Sequence, residues 1–321
     1  MKIFTFILYD NRSGSTLFSA LLNQYEGVCV SIETDLVYQI LEYERNIQTK
    51  KEKNIFLDYL FDKTRFWELQ IDRNKAANAI ENVKLSKGEL LSALLKLYFH
   101  QNDPDAEFYI VKGPRIYYHM ADLLKYFPEA SFIQLIRDGR AVYHSKTKTS
   151  SIRYIDGSYV DRGPMNKNIL HAAMLWRKKL RIADSFRQHV MDIRYEDLIT
   201  DADSTIAKTL NYIKVSMEKR KKIKRKDSYL SNMRKEYHAL HANVGDQPRC
   251  DLIEKWKENL LPQEICLYEL ITCPYLKRHA YTLMYADKVD LKIVFGVIKL
   301  ILLQAIDLLR KFVFTVIDRH H

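Results

Sequence analysis

LYDNRSGSTLFSALLNQYE, residues 8–26, is the stretch on which the fold turns. Residues 2–9, KIFTFILY, are a short β-branched and aromatic run of the kind that forms a buried strand, and DNRSGS breaks that run before an amphipathic helix starting at Ser15 or Thr16. A strand, a loop and a helix follow one another. The helix start offers unpaired backbone N–H groups and the positive end of its dipole, so an anion held at RSGST receives several hydrogen bonds at once. Gly14 lets the backbone approach closely, Arg12 adds a charged fork, and Ser15 and Thr16 add hydroxyl donors. The loop lacks the lysine that a nucleotide-hydrolysing loop carries at this point. An ordinary helix cap by Ser13 or Ser15 is the plainer reading of the same residues.

Four more strands are predicted at VCVSI (28–32), EFYIVK (107–112), SFIQLIR (131–137) and HVMDIRY (189–195), with helical patterns between them. Strands separated by helices imply an α/β fold with a central parallel sheet flanked by helices. Ligands of such sheets bind beyond the carboxyl ends of the strands, and Arg12, Glu33, Lys112 and Arg137 each follow a predicted strand. Residues 42–106 read as helical and form a candidate cap over the site. With only 9 glycines and 7 prolines, long flexible linkers are not expected, which leaves one main domain over residues 1–285 and a C-terminal amphipathic helix over 288–318.

A net charge of +11 and a pI near 9.2 favour anionic partners such as nucleotides, acidic glycans or anionic lipid. Nucleic acid is not expected, because no zinc-finger spacing or RNA-binding signature accompanies the basic residues. Cys29, Cys250, Cys266 and Cys273 have no metal or disulfide spacing, so neither a metal nor a disulfide is expected. The apolar N-terminal run is too short to span a membrane and lacks a cleavage site, which predicts a cytoplasmic location. Two segments stand apart: KRKKIKRK (219–226), either a solvated helix face or an anion-binding or membrane-facing surface, and the apolar tail LKIVFGVIKLILLQAIDLLRKFVFTVI (291–317). Lys299, Asp307, Arg310 and Lys311 interrupt that tail, so it reads as a helix lying on an anionic membrane surface, or packed on the protein's own core or on a twin subunit in a homodimer, and not as a span.

FIQLIRDGRAVYHS supplies a second strand-to-helix junction, in which Arg137 ends the strand and Ser145 lies about two helical turns on. Together with RSGSTL, IETDLVYQIL, VKGP, IRYEDL and NVGDQPRCDLIEKW, all in order over residues 3–277, it resembles the sulfotransferases that use 3′-phosphoadenosine 5′-phosphosulfate (PAPS), a P-loop-like fold, and most of all their protein-tyrosine branch and its bacterial relatives. The resemblance implies that Arg12, Ser13, Gly14, Ser15 and Thr16 hold the 5′-phosphosulfate, Arg137 and Ser145 the 3′-phosphate, and Tyr195 the adenosine end. It implies that Glu33 is the catalytic base, that Lys112 contacts the moving sulfuryl group with Arg12 beside it, and that the acceptor is a hydroxyl of a tyrosine, glycan, lipid or small molecule. His119 and His144 are alternative bases. One departure is Glu254 before Lys255 and Trp256, where the branch has serine. Two rival readings remain: a nucleotide kinase or NTPase with Asp138 as its metal-side acid, and a silent membrane-associated binding protein.

Overall fold

The computed structural model describes residues 4–81, 83, 86–155, 158–223, 229, 253–288 and 290–317. The chain forms two compact units, one of Met1–Ile136 with Ser185–Pro248 and the other of Arg137–Asp184 with Arg249–His321.

The first unit is built on five strands: β1 (Phe4–Tyr9), β2 (Val28–Glu33), β3 (Phe108–Lys112), β4 (Ser131–Ile136) and, later in the chain, β7 (Val190–Arg194). All pair in parallel in the order β2-β3-β1-β4-β7. Every residue of β1 is buried, as a strand covered on both faces requires, which explains a sequence apolar or aromatic at every position but Thr5. After β1 the chain runs through α1 (Ser15–Leu22) to the sheet edge at β2, returns to β3 beside β1, and then crosses to β4 on the other side of β1. That reversal makes the carboxyl ends of β1, β2 and β3 the natural place for a ligand.

Helices α2 (Leu36–Leu41), α3 (Lys50–Lys63), α4 (Arg73–Glu81) and α5 (Lys87–Asn102) follow β2. α3 starts at a reciprocal cap between Thr49 and Glu52. α5 belongs to the layer against the sheet, because Phe99 stacks on Tyr109 of β3 at 4.4 Å and the Tyr98 hydroxyl accepts a bond of 3.2 Å from the Ile32 N–H. Phe4 and Phe6 of β1 meet Phe127 and Phe132, each ring worth about 2–3 kcal/mol in buried apolar surface. α6 (Met120–Tyr126), α9 (Tyr195–Thr200) and α10 (Ala202–Tyr212) complete the unit.

Part of the basic run lies here, and it is not a helix face. Residues 221–223 run beside Tyr25, where Lys222 forms an antiparallel bridge and pairs with Asp203 at 2.9 Å, while Lys219 pairs with Glu107. Residues 224–226 of that run, Arg249, Cys250 and residues 243–252 of the late motif, and residue 318 of the tail lie outside the described residues.

The second unit holds α7 (Gly139–Lys148), an antiparallel hairpin of β5 (Ser150–Ile155) and β6 (Ser158–Pro164) that the sequence reading passed over, α8 (Ile169–Asp184), α11 (Trp256–Asn259), α12 (Pro262–Arg278) and α13 (Leu291–Ile317). Its centre is Arg140, 1% exposed, whose guanidinium lies 4.1 Å from the Trp256 ring centroid. That guanidinium bonds Asp138 at 2.7 and 3.0 Å and also pairs with Glu269. α13 packs on α8 and α12: Val297 is buried, Gly296 faces Gln263, and the Asn168 amide donates to the Gln304 carbonyl at 3.1 Å. Among the described residues no helix is long and apolar enough to cross a membrane.

Candidate active site

The β1–α1 junction is a tight turn in which the Ser13 N–H donates to the Asp10 carbonyl at 3.0 Å. Arg12 and Gly14 both take left-handed backbone, with φ 74° and 84°. For arginine that conformation costs roughly 1–2 kcal/mol, strain of the kind that gathers at functional turns. Gly14 is the residue before the first turn of α1, and no side chain caps the helix. The plainer reading, a serine cap, is therefore not what this loop does. Ser13, Ser15 and Thr16 are buried with their backbone around the helix start.

Tyr195, first residue of α9, meets this loop directly: a Cβ on Gly14 would lie 2.3 Å from two of its ring carbons. β7 delivers the tyrosine and glycine makes room for it.

Pairing of β2 with β3 sets Glu33 opposite Lys112, and the Thr34 N–H donates to the Lys112 carbonyl at 2.9 Å. Lys112 is 1% exposed. Its ammonium donates to Thr16 Oγ1 at 2.9 Å and lies 5.7 Å from the centroid of the Tyr9 ring. Burial pushes this lysine down to about 8, with the Glu33 carboxylate pulling the other way. Glu33 is half-buried and accepts a hydrogen bond of 2.6 Å from the Tyr9 hydroxyl at Oε2. Burial, and then the Glu33 charge, hold the Tyr9 phenol well above its ordinary range. Thr34 Oγ1 accepts from the Leu36 N–H at 3.1 Å, so a local turn coexists with a carboxylate that is tied down. Asp35 is raised by burial against the opposing pull of Arg65, 3.8 Å away.

One end of the first unit thus gathers Arg12 to Thr16, Glu33, Lys112 and Tyr195. Tyr9 and Tyr229, whose hydroxyl donates to the Ser31 carbonyl at 2.8 Å, join it without having been singled out in the sequence. The arrangement offers N–H groups, hydroxyls and a buried ammonium to an anion, with a carboxylate on the neighbouring strand able to take a proton.

Arg137 and Ser145 belong to the second unit, Arg137 just before α7 and Ser145 within it, both half-buried. Between them Asp138 caps α7, accepting from the Arg140 N–H at 2.9 Å as well as from its guanidinium. A carboxylate committed in this way to a buried arginine is a structural group, which removes the metal-side acid that a kinase reading needs. Among the described residues no group of three or more His, Cys, Asp or Glu side chains is placed to hold a metal ion.

Of the alternative bases, His119 has carboxylate partners of its own. His119 lies 3.1 Å from Glu42 and 3.8 Å from Asp122, and Glu42 also pairs with Arg115. His144 is held below its ordinary range by burial and by Lys148, Lys255 and Arg137. Glu254, the departure from the branch pattern, is exposed and pairs with Lys257.

A family model described as the sulfotransferase family matches residues 5–219, well over half of the chain. The sulfotransferase domain from the Synechococcus PCC 7002 olefin synthase superposes with a TM-score of 0.57, covering 88% of this chain and 95% of that one at 18% identity. The sulfotransferase domain from the curacin biosynthetic pathway gives 0.50, covering 88% and 99% at 17% identity. At such identities the two structures speak to the fold. No curated protein sequence matches the chain.

Proposed function

Because this chain belongs to the sulfotransferase family, and is an enzyme that transfers a sulfuryl group to a hydroxyl-type acceptor, we propose that its donor is PAPS and that the loop Arg12–Thr16 holds the 5′-phosphosulfate. The observation that carries this reading is the buried Lys112 ammonium 2.9 Å from Thr16 Oγ1, at the head of a helix that no side chain caps. Tyr195 supports the adenosine end from its place on Gly14. Recognition of the 3′-phosphate is assigned to Arg137 and Ser145 on their motif.

Sulfuryl transfer moves a group in line between two oxygens, so the protein contributes position and charge. The acceptor oxygen forms its bond to sulfur as the bond from sulfur to the 5′-phosphate oxygen breaks. Glu33 takes the acceptor's proton; Lys112, Arg12 and the loop N–H groups stabilise the charge on the transferred group and on the leaving phosphate. The products are a sulfate ester and adenosine 3′,5′-bisphosphate.

Thermal unfolding of the full chain without magnesium tests the donor. Adenosine 3′,5′-bisphosphate raises Tm well beyond AMP, since a ligand of the folded state stabilises it in proportion to its affinity. Equal shifts, or a preference for ATP with magnesium, would sink the reading. Arg137→Ala erases most of the difference, at a cost of about 1.5–3 kcal/mol for a charged hydrogen bond.

A second proposal concerns place. α13 packs one side on α8 and α12 and leaves Leu291, Phe295, Ile298, Leu302 and Ile306 exposed, with Lys292 and Lys299 exposed among them. Apolar residues flanked by lysines are what a helix lying on an anionic membrane presents, and we place the enzyme there, on the cytoplasmic side.

A further inference from the structure

Tyr9 is the last residue of β1, 1% exposed, and nothing in the reaction as described above uses it. Its position is unusual in two respects. β3 lies between β1 and β2, so Tyr9 and Glu33 are on strands that do not pair with each other, and the tyrosine reaches past the end of β3 to bond the Glu33 carboxylate at 2.6 Å. The ammonium of Lys112, the β3 residue it reaches past, lies 5.7 Å from the centroid of the same ring. One side chain touches both groups that the transfer reading needs.

We propose that Tyr9 is a positioning residue for sulfuryl transfer: its hydroxyl fixes the Glu33 carboxylate in the orientation that accepts the acceptor's proton, while its ring seats the Lys112 ammonium beside Thr16. The proposal rests on the reading of Glu33 as base and goes one step past it. A half-buried carboxylate with free χ angles samples several orientations, whereas one oxygen held by a donor leaves the other with a defined direction. A cation near an aromatic ring gains attraction that grows as water is excluded, and Lys112 is enclosed. The charged and titratable groups around the pair are Lys112 on β3, Asp35 beyond β2 and Tyr229, so a change at Tyr9 is read against a known surrounding.

The test is Tyr9→Phe in the full chain, which keeps the ring and removes only the donor. The carboxyl carbons of glutamate are labelled with 13C and the Glu33 signal is identified by its loss in Glu33→Gln. Because a hydrogen bond to one carboxylate oxygen changes the shielding of the carboxyl carbon, the Glu33 signal at one fixed pH moves in Y9F. A role confined to packing would lower Tm and leave that signal where it is, and that result overturns the proposal. Binding of adenosine 3′,5′-bisphosphate to Y9F stays within about twofold of the unaltered chain, which shows that the variant is folded. Release of 35S-labelled sulfate from PAPS to water falls about tenfold or more in Y9F. If the Glu33 signal moves but Glu33→Gln releases sulfate as fast as the unaltered chain, Glu33 is not the base, and the hold of Tyr9 on Glu33 stands without it.

Discussion

Gly14 lies so close to the ring of Tyr195 that a Cβ added to it would stand 2.3 Å from both Cδ2 and Cε2. Glycine is required there twice over, since φ is 84° and the space for a side chain is taken. Gly14→Ala therefore destabilises the first unit by about 1–3 kcal/mol and weakens the binding of adenosine 3′,5′-bisphosphate. Adding Tyr195→Ala removes the clash but not the backbone strain, so the double variant regains part of the stability lost in Gly14→Ala. Thermal unfolding of the four chains measures the coupling; additive effects would mean that the ring and the glycine do not meet.

Lys112 predicts a pH dependence with a definite sign. Burial lowers it from its ordinary 10.5 to about 8, so the empty enzyme loses the ammonium near that pH and kcat/KM falls above it. A bound anion favours the charged form, and the fall in kcat comes at higher pH. The stability effect runs the other way. Between about 8 and 10.5 the unfolded chain holds more protons than the folded one, so stability rises with pH across that window. Lys112→Met removes a buried charge, so its gain in Tm over the parent is largest below pH 8 and shrinks toward pH 10.5, while transfer is lost throughout. A gain that does not change with pH would show that folding does not lower Lys112, which then keeps its ammonium in the folded chain as in the unfolded one.

Arg140 carries the second unit. Removing it in Arg140→Ala leaves Asp138 and Glu269 buried without their cation, and Glu269 is fully buried while also accepting the N–H groups of Met284, Tyr285 and Ala286. The expected loss is about 3–5 kcal/mol, seen as a fall in the denaturation midpoint of the full chain. Asp138→Asn destabilises for the same reason and leaves magnesium without effect on donor binding. A magnesium dependence that disappears in that variant would restore Asp138 as a metal ligand.

The strands were legible because each is a short β-branched or aromatic run closed by a polar residue, and Glu33 and Lys112 stood out as the polar residues at two of those ends. Tyr9 did not stand out. It reads as one more strand residue, and its bond to Glu33 arises from strand order and register, which bring together positions 24 apart along the chain. Arg140 and Glu269 are 129 apart and meet only through packing of α7 and α12, for which no local pattern exists. The hairpin is a different case. Asp156 and Gly157 between aromatic and β-branched residues are a strong turn signal, and it was masked by the helical patterns on either side. Of the two readings of the basic run, the helix face does not describe residues 221–223, for a physical reason: the composition suits a solvated helix, but Lys219 and Lys222 find Glu107 and Asp203 on other elements.

The last prediction concerns α13. Its 27 residues extend about 40 Å if helical throughout, and its buried side is settled by Val297 and by the contact of Gly296 with Gln263. Phe295 at 72% and Leu302 at 60% exposure are on the other side, where a soluble enzyme gains nothing from them. From Leu291 to Ile306 the charged residues are Lys292 and Lys299 alone, so anionic lipid meets an attraction and no repulsion. The full chain is expected to float with vesicles of phosphatidylcholine and phosphatidylserine, less with phosphatidylcholine alone, and less again as salt screens the lysines. Phe295→Glu with Leu302→Glu places charge at exposed positions, leaves the packed side alone, and abolishes flotation at unchanged Tm. If the unaltered chain does not float, or floats no better than the variant, the membrane placement fails. Should it then sediment at twice its 38.0 kDa while the variant sediments as one copy, the exposed side of α13 joins two subunits.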